Sequence, residues 1–564
     1  MKILGISLGI DSGACIVING VLEFAINEER LSRNKLHIGY PYLSIKKVLD
    51  LSNTKISEVD IITLDGKKID PQNFGEEFNF DNSLKKFLGF LRLDKPILGT
   101  EIGISLVRFI YNLKNIFEKY KIKKRIIKDG FKGKFKLIEH HYAHASSAYF
   151  SQEKDVGLAI TSDGGGEGYC SHIYSAKDNN LKLLHKITSY HSLALYYAYI
   201  TKLLGFTPHR HEGKILGLAA SGNSSEVKKI LKRYISFNPK NLKFENNGGY
   251  YLRAYKRLQK DLKKFSREDI AAGIQVHSED LTIEYIKAVI DKFYFDKKVN
   301  LFLAGGIFAN IKINQKIAEL DKVNSCYIFP NMGDGGLSVG GALGEYFALN
   351  KKNNKKNYNM YLGTTYEFDQ TLSTNSKLSI VEAKNINQFI AEKLKENKIF
   401  GIFQGRMEYG PRALGNRSII CSPQKININD ILNQKLQRSE FMPFAPCVLA
   451  EDFPVFFESK LNVEDFQFMT FTCKTKSICN ELTPAIVHFD KSARPQSISK
   501  ENNKFLYEIL LEFKKKSGFG MLINTSFNVH EEPIVESYND AIKAFIQSEL
   551  DYLVLDKKIY KLKV

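Results

Sequence analysis

Ile3-Leu4-Gly5-Ile6-Ser7-Leu8-Gly9-Ile10-Asp11-Ser12-Gly13-Ala14-Cys15-Ile16-Val17-Ile18-Asn19-Gly20-Val21-Leu22-Glu23-Phe24-Ala25-Ile26 opens the chain as three apolar runs separated by two turns. Ile3 to Leu8 and Ala14 to Ile18 read as strands, because β-branched and apolar residues fill them between turn residues. Asn19-Gly20 is a strong hairpin signal, since both residues tolerate positive φ. Val21 to Ile26 returns as a third strand, so residues 1 to about 30 read as paired strands. The first turn places a carboxylate, Asp11, beside Ser12 and Gly13.

That turn resembles the phosphate-binding hairpin of actin-like ATPases. Strand, glycine loop and helix alternate from His140 to Phe347, an α/β pattern. Val156 to Thr161 is an apolar strand that runs into Ser162-Asp163-Gly164-Gly165-Gly166-Glu167-Gly168. Glycines after a strand let backbone N–H groups approach a phosphate closely. Asn331-Met332-Gly333-Asp334-Gly335-Gly336 repeats the pattern of an aspartate on a glycine turn. Val299 to Leu303 leads into Ala304-Gly305-Gly306-Ile307-Phe308-Ala309-Asn310, strand, glycine pair and helix start, which is an anion- or nucleotide-binding layout.

His140-His141-Tyr142-Ala143-His144 follows a strand end at Phe135 to Glu139. On a helix, His140 and His144 share one face at i and i+4, the reach needed to hold one metal ion. Two imidazoles and two carboxylates beside phosphate-friendly loops describe a metal site able to hold a nucleotide.

The 564 residues suffice for two or more domains with full cores, and 43% hydrophobic residues exclude wholesale disorder. No apolar run reaches the roughly 18 residues that span a bilayer. The N-terminus enters a strand pattern directly and lacks a signal-peptide layout, so the expected location is the cytoplasm. Cys15, Cys170, Cys326, Cys421, Cys447, Cys473 and Cys479 form no C-x-x-C pair, and buried reduced thiols are expected. The formal charge of +19 invites a nucleic-acid reading, but no compact aromatic-and-basic stripe accompanies it. The charge instead suits gathering anionic phosphates or solvating the surface.

Residues 1–349 read as one domain, with a helical insertion at about 70–128 and a long helix at Asp269 to Phe293. Residues 350–359 are Lys/Asn-rich and read as a linker. Residues 360–564 form a second block of short strands and few helices. It carries Gln404-Gly405-Arg406-Met407-Glu408-Tyr409-Gly410-Pro411-Arg412-Ala413-Leu414-Gly415-Asn416-Arg417-Ser418, three arginines within twelve residues. Arginines in tight turns suit bidentate recognition of phosphate or carboxylate, and Pro411 fixes the direction of Arg412. Arg438 precedes Met442-Pro443-Phe444-Ala445-Pro446, Arg494 sits in Arg494-Pro495-Gln496, and Asn524-Thr525-Ser526-Phe527-Asn528 ends a strand with groups that can grip a ligand.

These motifs, with Asn27-Glu28-Glu29-Arg30 and Glu212-Gly213-Lys214-Ile215-Leu216-Gly217-Leu218-Ala219, together resemble the O-carbamoyltransferases of the NodU/CmcH type, the family that includes tobramycin carbamoyltransferase. The resemblance runs through nearly the whole chain. It implies an α/β architecture: an N-terminal actin-like domain similar to the tRNA threonylcarbamoyl transferases, fused to a C-terminal α+β YrdC-like domain. It implies that carbamoyl phosphate and ATP, with Mg2+, form carbamoyl-adenylate in the second domain. The carbamoyl group would then move to a hydroxyl of a sugar or small-molecule acceptor at the metal site of the first. The resemblance assigns His140, His144 and Asp334 to the metal, expected to be iron(II), with another divalent metal such as zinc or manganese chemically suitable.

Carried over further, Asp163, His140, His144 and Glu212 would be catalytic. Asp163, Gly164, Gly165, Gly305, Gly306, Asn310 and Asp334 would bind nucleotide. Arg412, Arg417, Arg438, Arg494, Asn524 and Ser526 would hold carbamoyl phosphate and the ATP phosphates. Asp11, Arg33, Lys35, Glu212 and Lys214 would meet the acceptor. The chain departs from the family at Ile10, where a histidine is usual, and at Met442, where an arginine is common, so phosphate binding would lean on Arg438 and Lys435. Competing readings are a threonylcarbamoyl-type tRNA modification enzyme and a non-catalytic nucleotide-binding scaffold. Nucleic acid is the less favoured partner, no membrane span is expected, and a homodimer is compatible with the sequence.

Overall fold

Asn19 and Gly20 adopt φ of 50° and 84°, as a type I′ turn requires. They join β2 (Gly13–Ile18) to β3 (Val21–Asn27). β1 (Lys2–Ser7) pairs antiparallel with β2, from Lys2 opposite Ile18 to Ser7 opposite Gly13. On its other side β1 runs parallel to β4 (Ile61–Asp65), and β4 runs parallel to β5 (Lys134–Ile138). The resulting order is β3-β2-β1-β4-β5. The structure is a computed structural model and describes residues 1–65, 94–294, 297–367, 377–438 and 443–563.

The same plan recurs later in the chain. β6 (Gly157–Gly166), β7 (Tyr169–Lys177) and β8 (Asn180–Thr188) form an antiparallel meander. After a small hairpin of β9 (Ile235–Asn238) and β10 (Lys243–Asn246), β11 (Val299–Ala304) and β12 (Val323–Ile328) add in parallel beside β6. The order β12-β11-β6-β7-β8 is that of the first sheet read from the opposite edge. A meander followed by two parallel strands, built twice, is the actin-like arrangement that the first hairpin led us to expect.

Each sheet is followed by a helix, His140–Phe150 after β5 and Leu337–Leu349 after β12. These two helices pack directly on one another, and glycine makes the approach possible. A Cβ at Gly340 would collide with the Ala143 carbonyl, and one at Gly344 would stand 2.7 Å from Ser146 Oγ. The long helix spans Arg267–Phe293, capped by Ser266, which accepts from Asp269 N at 3.1 Å. Of the expected insertion, Asp94–Leu98 and Glu101–Lys128 are helical. The part from 70 to 93 lies outside the described residues, as does Met442.

The chain divides into two compact units, and neither is continuous. The first comprises Met1–Ala25 with Leu36–Tyr358, the second Ile26–Lys35 with Asn359–Val564. A boundary read only from the Lys/Asn-rich stretch misses this exchange. That stretch contains no helix or strand, but it is docked on the first unit. Lys355, 8% exposed, donates to Lys154 O at 2.6 Å and lies 3.6 Å above the Tyr149 ring. Asn179 Nδ2 donates to the Lys351 and Asn353 carbonyls, and Leu22 N donates to Tyr358 Oη.

The second unit is α+β. Its strands are β13 (Leu378–Val381), β14 (Phe400–Phe403), β15 (Arg417–Cys421), β16 (Pro446–Leu449), β17 (Phe457–Glu458), β18 (Cys473–Thr475), β19 (Ser492–Ala493), β20 (Gln496–Ile498), β21 (Met521–Ser526), β22 (Tyr552–Leu555) and β23 (Lys558–Leu562). β17, β18 and β19 form a small sheet, and the others form a mixed eight-stranded sheet ordered β13-β23-β22-β14-β15-β21-β16-β20. Helices are more prominent than the sequence suggested. Lys504–Ser517 buries Leu506, Ile509, Leu510 and Phe513 on one face and ends at Gly518 with φ of 87°. Its three terminal lysines mask that apolar stripe in a simple reading. All seven cysteines are buried free thiols. Among the described residues no helix is long and apolar enough to cross a membrane.

Candidate metal centre and arginine loop

Three separate segments of the first unit deliver four ligand-type side chains to one point. His140 and His144 lie on the first two turns of the His140–Phe150 helix, whose N-cap, Glu139, accepts from Tyr142 N at 2.6 Å. Asp163 sits on β6, and Asp334 opens the 3-10 turn leading into the Leu337–Leu349 helix. The site therefore takes its histidines from the end of the first half of the duplicated fold. Its carboxylates come from the beginning and end of the second half.

His140 Nε2 lies 3.2 Å from Asp163 Oδ2 and 3.6 Å from Asp334 Oδ1. His144 Nε2 lies 3.6 and 3.4 Å from the same two oxygens. All four donor atoms fall within 4.8 Å of one another. Both imidazoles are wholly buried. Burial alone would push the His144 pKa down, but Asp163 and Asp334 outweigh it and hold the group at about 9. His144 Nε2 is nevertheless buried without a directed hydrogen bond. Two nitrogens and two carboxylates converging in this way fit a divalent cation.

The backbone around the cluster is shaped to allow it. A Cβ at Gly166 would overlap the His140 ring, and one at Gly306 would meet Asp163 Oδ1 at 3.0 Å. Gly305, at φ of 111°, presses against Ser162. Asp163 Oδ1 accepts from Gly164 N at 2.7 Å, leaving Oδ2 toward the histidines. His141, which the sequence reading leaves without a role, lies behind the cluster. Its Nδ1 is 2.9 Å from Thr161 Oγ1 and its Nε2 2.9 Å from Tyr169 O, tying the helix to β6 and to the start of β7. Only the central position of His141 in the run could have signalled this.

Asn310 caps the Ile311–Ala318 helix and donates to Gln275 Oε1 at 2.8 Å, with Tyr197 Oη on the same oxygen. Gln275 escaped the sequence reading, because it is one polar residue within a long helix. Glu212 Oε1 accepts from His209 N at 2.6 Å, and the Lys214 ammonium lies 5.9 Å from the Phe206 ring centre. Asp11 takes φ of 52° in the first turn. Of the residues expected to meet the acceptor, Arg33 and Lys35 belong to the second unit and Asp11, Glu212 and Lys214 to the first. Arg33 donates to the Pro533 and Ile534 carbonyls at 2.8 Å each, and Lys35 to Glu532 O at 3.4 Å.

In the second unit the arginine loop joins β14 to β15. Asn524 Nδ2 donates to Gln496 Oε1 at 2.7 Å and to Ala413 O at 3.3 Å. Gln496 Nε2 donates to Leu414 O at 2.9 Å. Arg438 donates to Thr525 Oγ1 at 3.0 Å and to Asn528 Oδ1 at 2.6 Å, and its Nη2 reaches Ser526 Oγ at 3.2 Å. The loop, Arg438, Gln496 and the end of β21 thus form one neighbourhood, with Arg494 two residues ahead of Gln496. Arg412, Arg438 and Arg494 are half-buried. Arg417 differs from them. It is fully buried, donates to Gln404 O at 2.8 Å and to the Gly405, Asn416 and Thr364 carbonyls, and lies 3.6 Å over the Phe403 ring. Lys435 donates to Glu549 O at 2.6 Å.

The duplicated sheets place the first unit in the actin-like class. The family model described as Carbamoyltransferase N-terminus matches residues 2–343, and the one described as Carbamoyltransferase C-terminus matches residues 391–561. This chain belongs to the carbamoyltransferase family and is a carbamoyltransferase. It is 31% identical to an uncharacterised protein of Synechocystis over 98% of this chain and 95% of the relative. It is 27% identical to nodulation protein NolNO of Sinorhizobium fredii over 98% of this chain and 79% of the relative. Nodulation protein U of Sinorhizobium fredii is 31% identical over 47% of this chain and 46% of its own. The crystal structure of T. kodakarensis HypF covers 62% of this chain and 48% of its own, at 12% identity and a TM-score of 0.33, too distant to carry a functional argument.

Proposed function

We propose that this chain is an ATP-dependent O-carbamoyltransferase. The second unit would cleave carbamoyl phosphate with one water into carbamate and phosphate. The carbamate oxygen would then attack the α-phosphorus of ATP, held with Mg2+, giving carbamoyl-adenylate and pyrophosphate. The first unit would pass the carbamoyl group to a hydroxyl of a sugar or other small-molecule acceptor. The observation that carries this reading is the convergence of His140, His144, Asp163 and Asp334 in a chain matched by carbamoyltransferase models at both ends.

His140, His144 and Asp334 would hold the metal, iron(II) being the expected ion, with Asp163 facing the nucleotide and acceptor. Such an ion supplies Lewis-acid polarisation of a carbonyl or neutralises a leaving phosphate. Asp163 Oδ2, turned toward the histidines, is suited to take the acceptor's proton as the hydroxyl adds to the carbamoyl carbon. Glycines at 164, 165, 305 and 306 let the backbone approach the adenylate phosphate. In the second unit Arg412, Arg438 and Arg494 would neutralise phosphate charge during adenylation, with Asn524 and Ser526 beside them. Arg417, already surrounded by carbonyls, would shape the loop that presents Arg412.

The test is pyrophosphate release from ATP with and without carbamoyl phosphate, in the absence of acceptor. Release that depends on carbamoyl phosphate is expected. Folded, metal-loaded protein that releases none would rule out the adenylation half-reaction.

A further inference from the structure

The Asn27-Glu28-Glu29-Arg30 run has no part in the chemistry above, yet Arg30 is only 4% exposed. A guanidinium is buried at a cost unless its donors are used. Arg30 lies on the short Glu28–Ser32 helix, which belongs to the second unit although it comes from the beginning of the chain. Its Nη2 donates to Gly410 O at 2.6 Å, and its Nε pairs with Glu29 Oε1 at 3.0 Å. Gly410, at φ of 124°, begins the turn that carries Pro411 and Arg412.

The other end of that turn is gripped by a carboxylate. Glu408 is 2% exposed. Its Oε1 accepts from Leu414 N at 2.7 Å, Asn416 N at 2.7 Å and Arg417 N at 3.1 Å. Hydrogen bonds to a carboxylate are the strong kind, and three from one loop fix its curvature. Only Pro411, Arg412 and Ala413 lie between the Gly410 carbonyl held by Arg30 and the Leu414 amide held by Glu408. Pro411 adds its own fixed φ.

We propose that Arg30 and Glu408 are positioning residues that aim Arg412 at a phosphate group. Arg30 fixes the entry of the turn through one carbonyl, and Glu408 fixes its exit through three amides. The proposal rests on the reading of Arg412 as a phosphate ligand, whether that phosphate belongs to carbamoyl phosphate or to ATP.

The experiment measures KM for each substrate separately in carbamoyl-phosphate-dependent pyrophosphate release, for full-length wild type, R30M, R30K, E408A and E408Q. R30M and E408A are expected to raise KM for one of the two substrates roughly tenfold or more, with a smaller change in kcat. The substrate affected identifies which phosphate Arg412 meets. R30K keeps one donor for Gly410 O, and E408Q keeps an acceptor oxygen for the three amides, so both are expected to recover most of the wild-type KM. Hydrogen exchange at the Leu414, Asn416 and Arg417 amides should quicken in E408A and stay slow in E408Q. If R30M or E408A fails to fold, R30Q and E408N, which weaken these hydrogen bonds without removing every polar atom, take their place. They should raise the same KM by an intermediate factor, and an unchanged KM in both would overturn the proposal. Unchanged KM in variants whose loop exchange has quickened would overturn the proposal alone. A wild type that releases no pyrophosphate would overturn the reading beneath it.

Discussion

In the first unit four ligand-type groups meet at the ends of three segments, and His144 Nε2 is left without a directed hydrogen bond. In the second unit Arg417 and Glu408 are just as deeply buried, but backbone groups surround them: four carbonyls on the arginine, three amides on the carboxylate. The difference teaches where each site gets its order. The loop is organised by the chain itself, before any ligand arrives. The cluster has the charge and spacing of a site completed by a cation. Loss of a side chain should therefore abolish function in the first unit and loosen the fold in the second.

Replacing His140 and His144 together by Ala is the most severe test of this contrast. Carbamoyl transfer should fall by orders of magnitude and the bound-metal stoichiometry should drop, while the unfolding midpoint changes little. A variant that keeps its metal and its activity would remove the cluster from the reaction. In the second unit, Arg417→Met should lower stability by about 3 kcal/mol, since it strips the guanidinium's hydrogen bonds from four backbone carbonyls in a buried site. Denaturant unfolding followed in that unit would read the loss. A neutral result would mean that the loop does not depend on its buried arginine.

Gly340→Ala lies between these extremes. Its Cβ would meet the Ala143 carbonyl, forcing apart the two helices that deliver His144 and follow Asp334. A loss of about 2 kcal/mol is expected from overpacking. Metal affinity should fall with it, because the ligands are separated. Preserved affinity in a destabilised variant would show that the cluster tolerates helix displacement.

The smallest expected effect concerns Lys355, a third buried charge. Burial pushes its pKa from 10.5 down to about 8, with Asp155 acting in the opposite sense. A depressed folded pKa means the unfolded chain binds the extra proton between those values. The contribution of this group to stability is therefore full above pH 10.5 and is lost as pH falls through 8. Lys355→Met should flatten the pH dependence of first-unit stability in that window, measured by urea unfolding at a series of pH values. An unaltered slope would assign the dependence elsewhere.

Much of this was legible in the sequence. Asn19-Gly20 announces its turn because only certain residues accept positive φ. His140 and His144 announce a shared face through helical spacing, and Asp163 and Asp334 stand out on glycine turns after apolar strands. The duplication was legible only through the likeness of the first hairpin to actin-like ATPases, because it resides in strand order rather than in repeated residues. The placement of Arg30, Arg33 and Lys35 was not legible, because their partners lie 380 to 501 residues away. Such contacts leave no local period. The stretch around Lys355 reads as a solvated linker for a similar reason: its hold on the first unit is made by single polar side chains, not by an apolar stripe.

The exchange of residues 26–35 has a consequence for how this chain can be divided. A cut near residue 358 would seem to release two independent polypeptides. The C-terminal fragment would lack the arginine that grips Gly410 and the one that grips Pro533 and Ile534, and the N-terminal fragment would carry a buried-type helix with nothing to bury it. Gene fission at that point would therefore yield two incomplete products. The two halves are bound into a single polypeptide by the ten residues from 26 to 35.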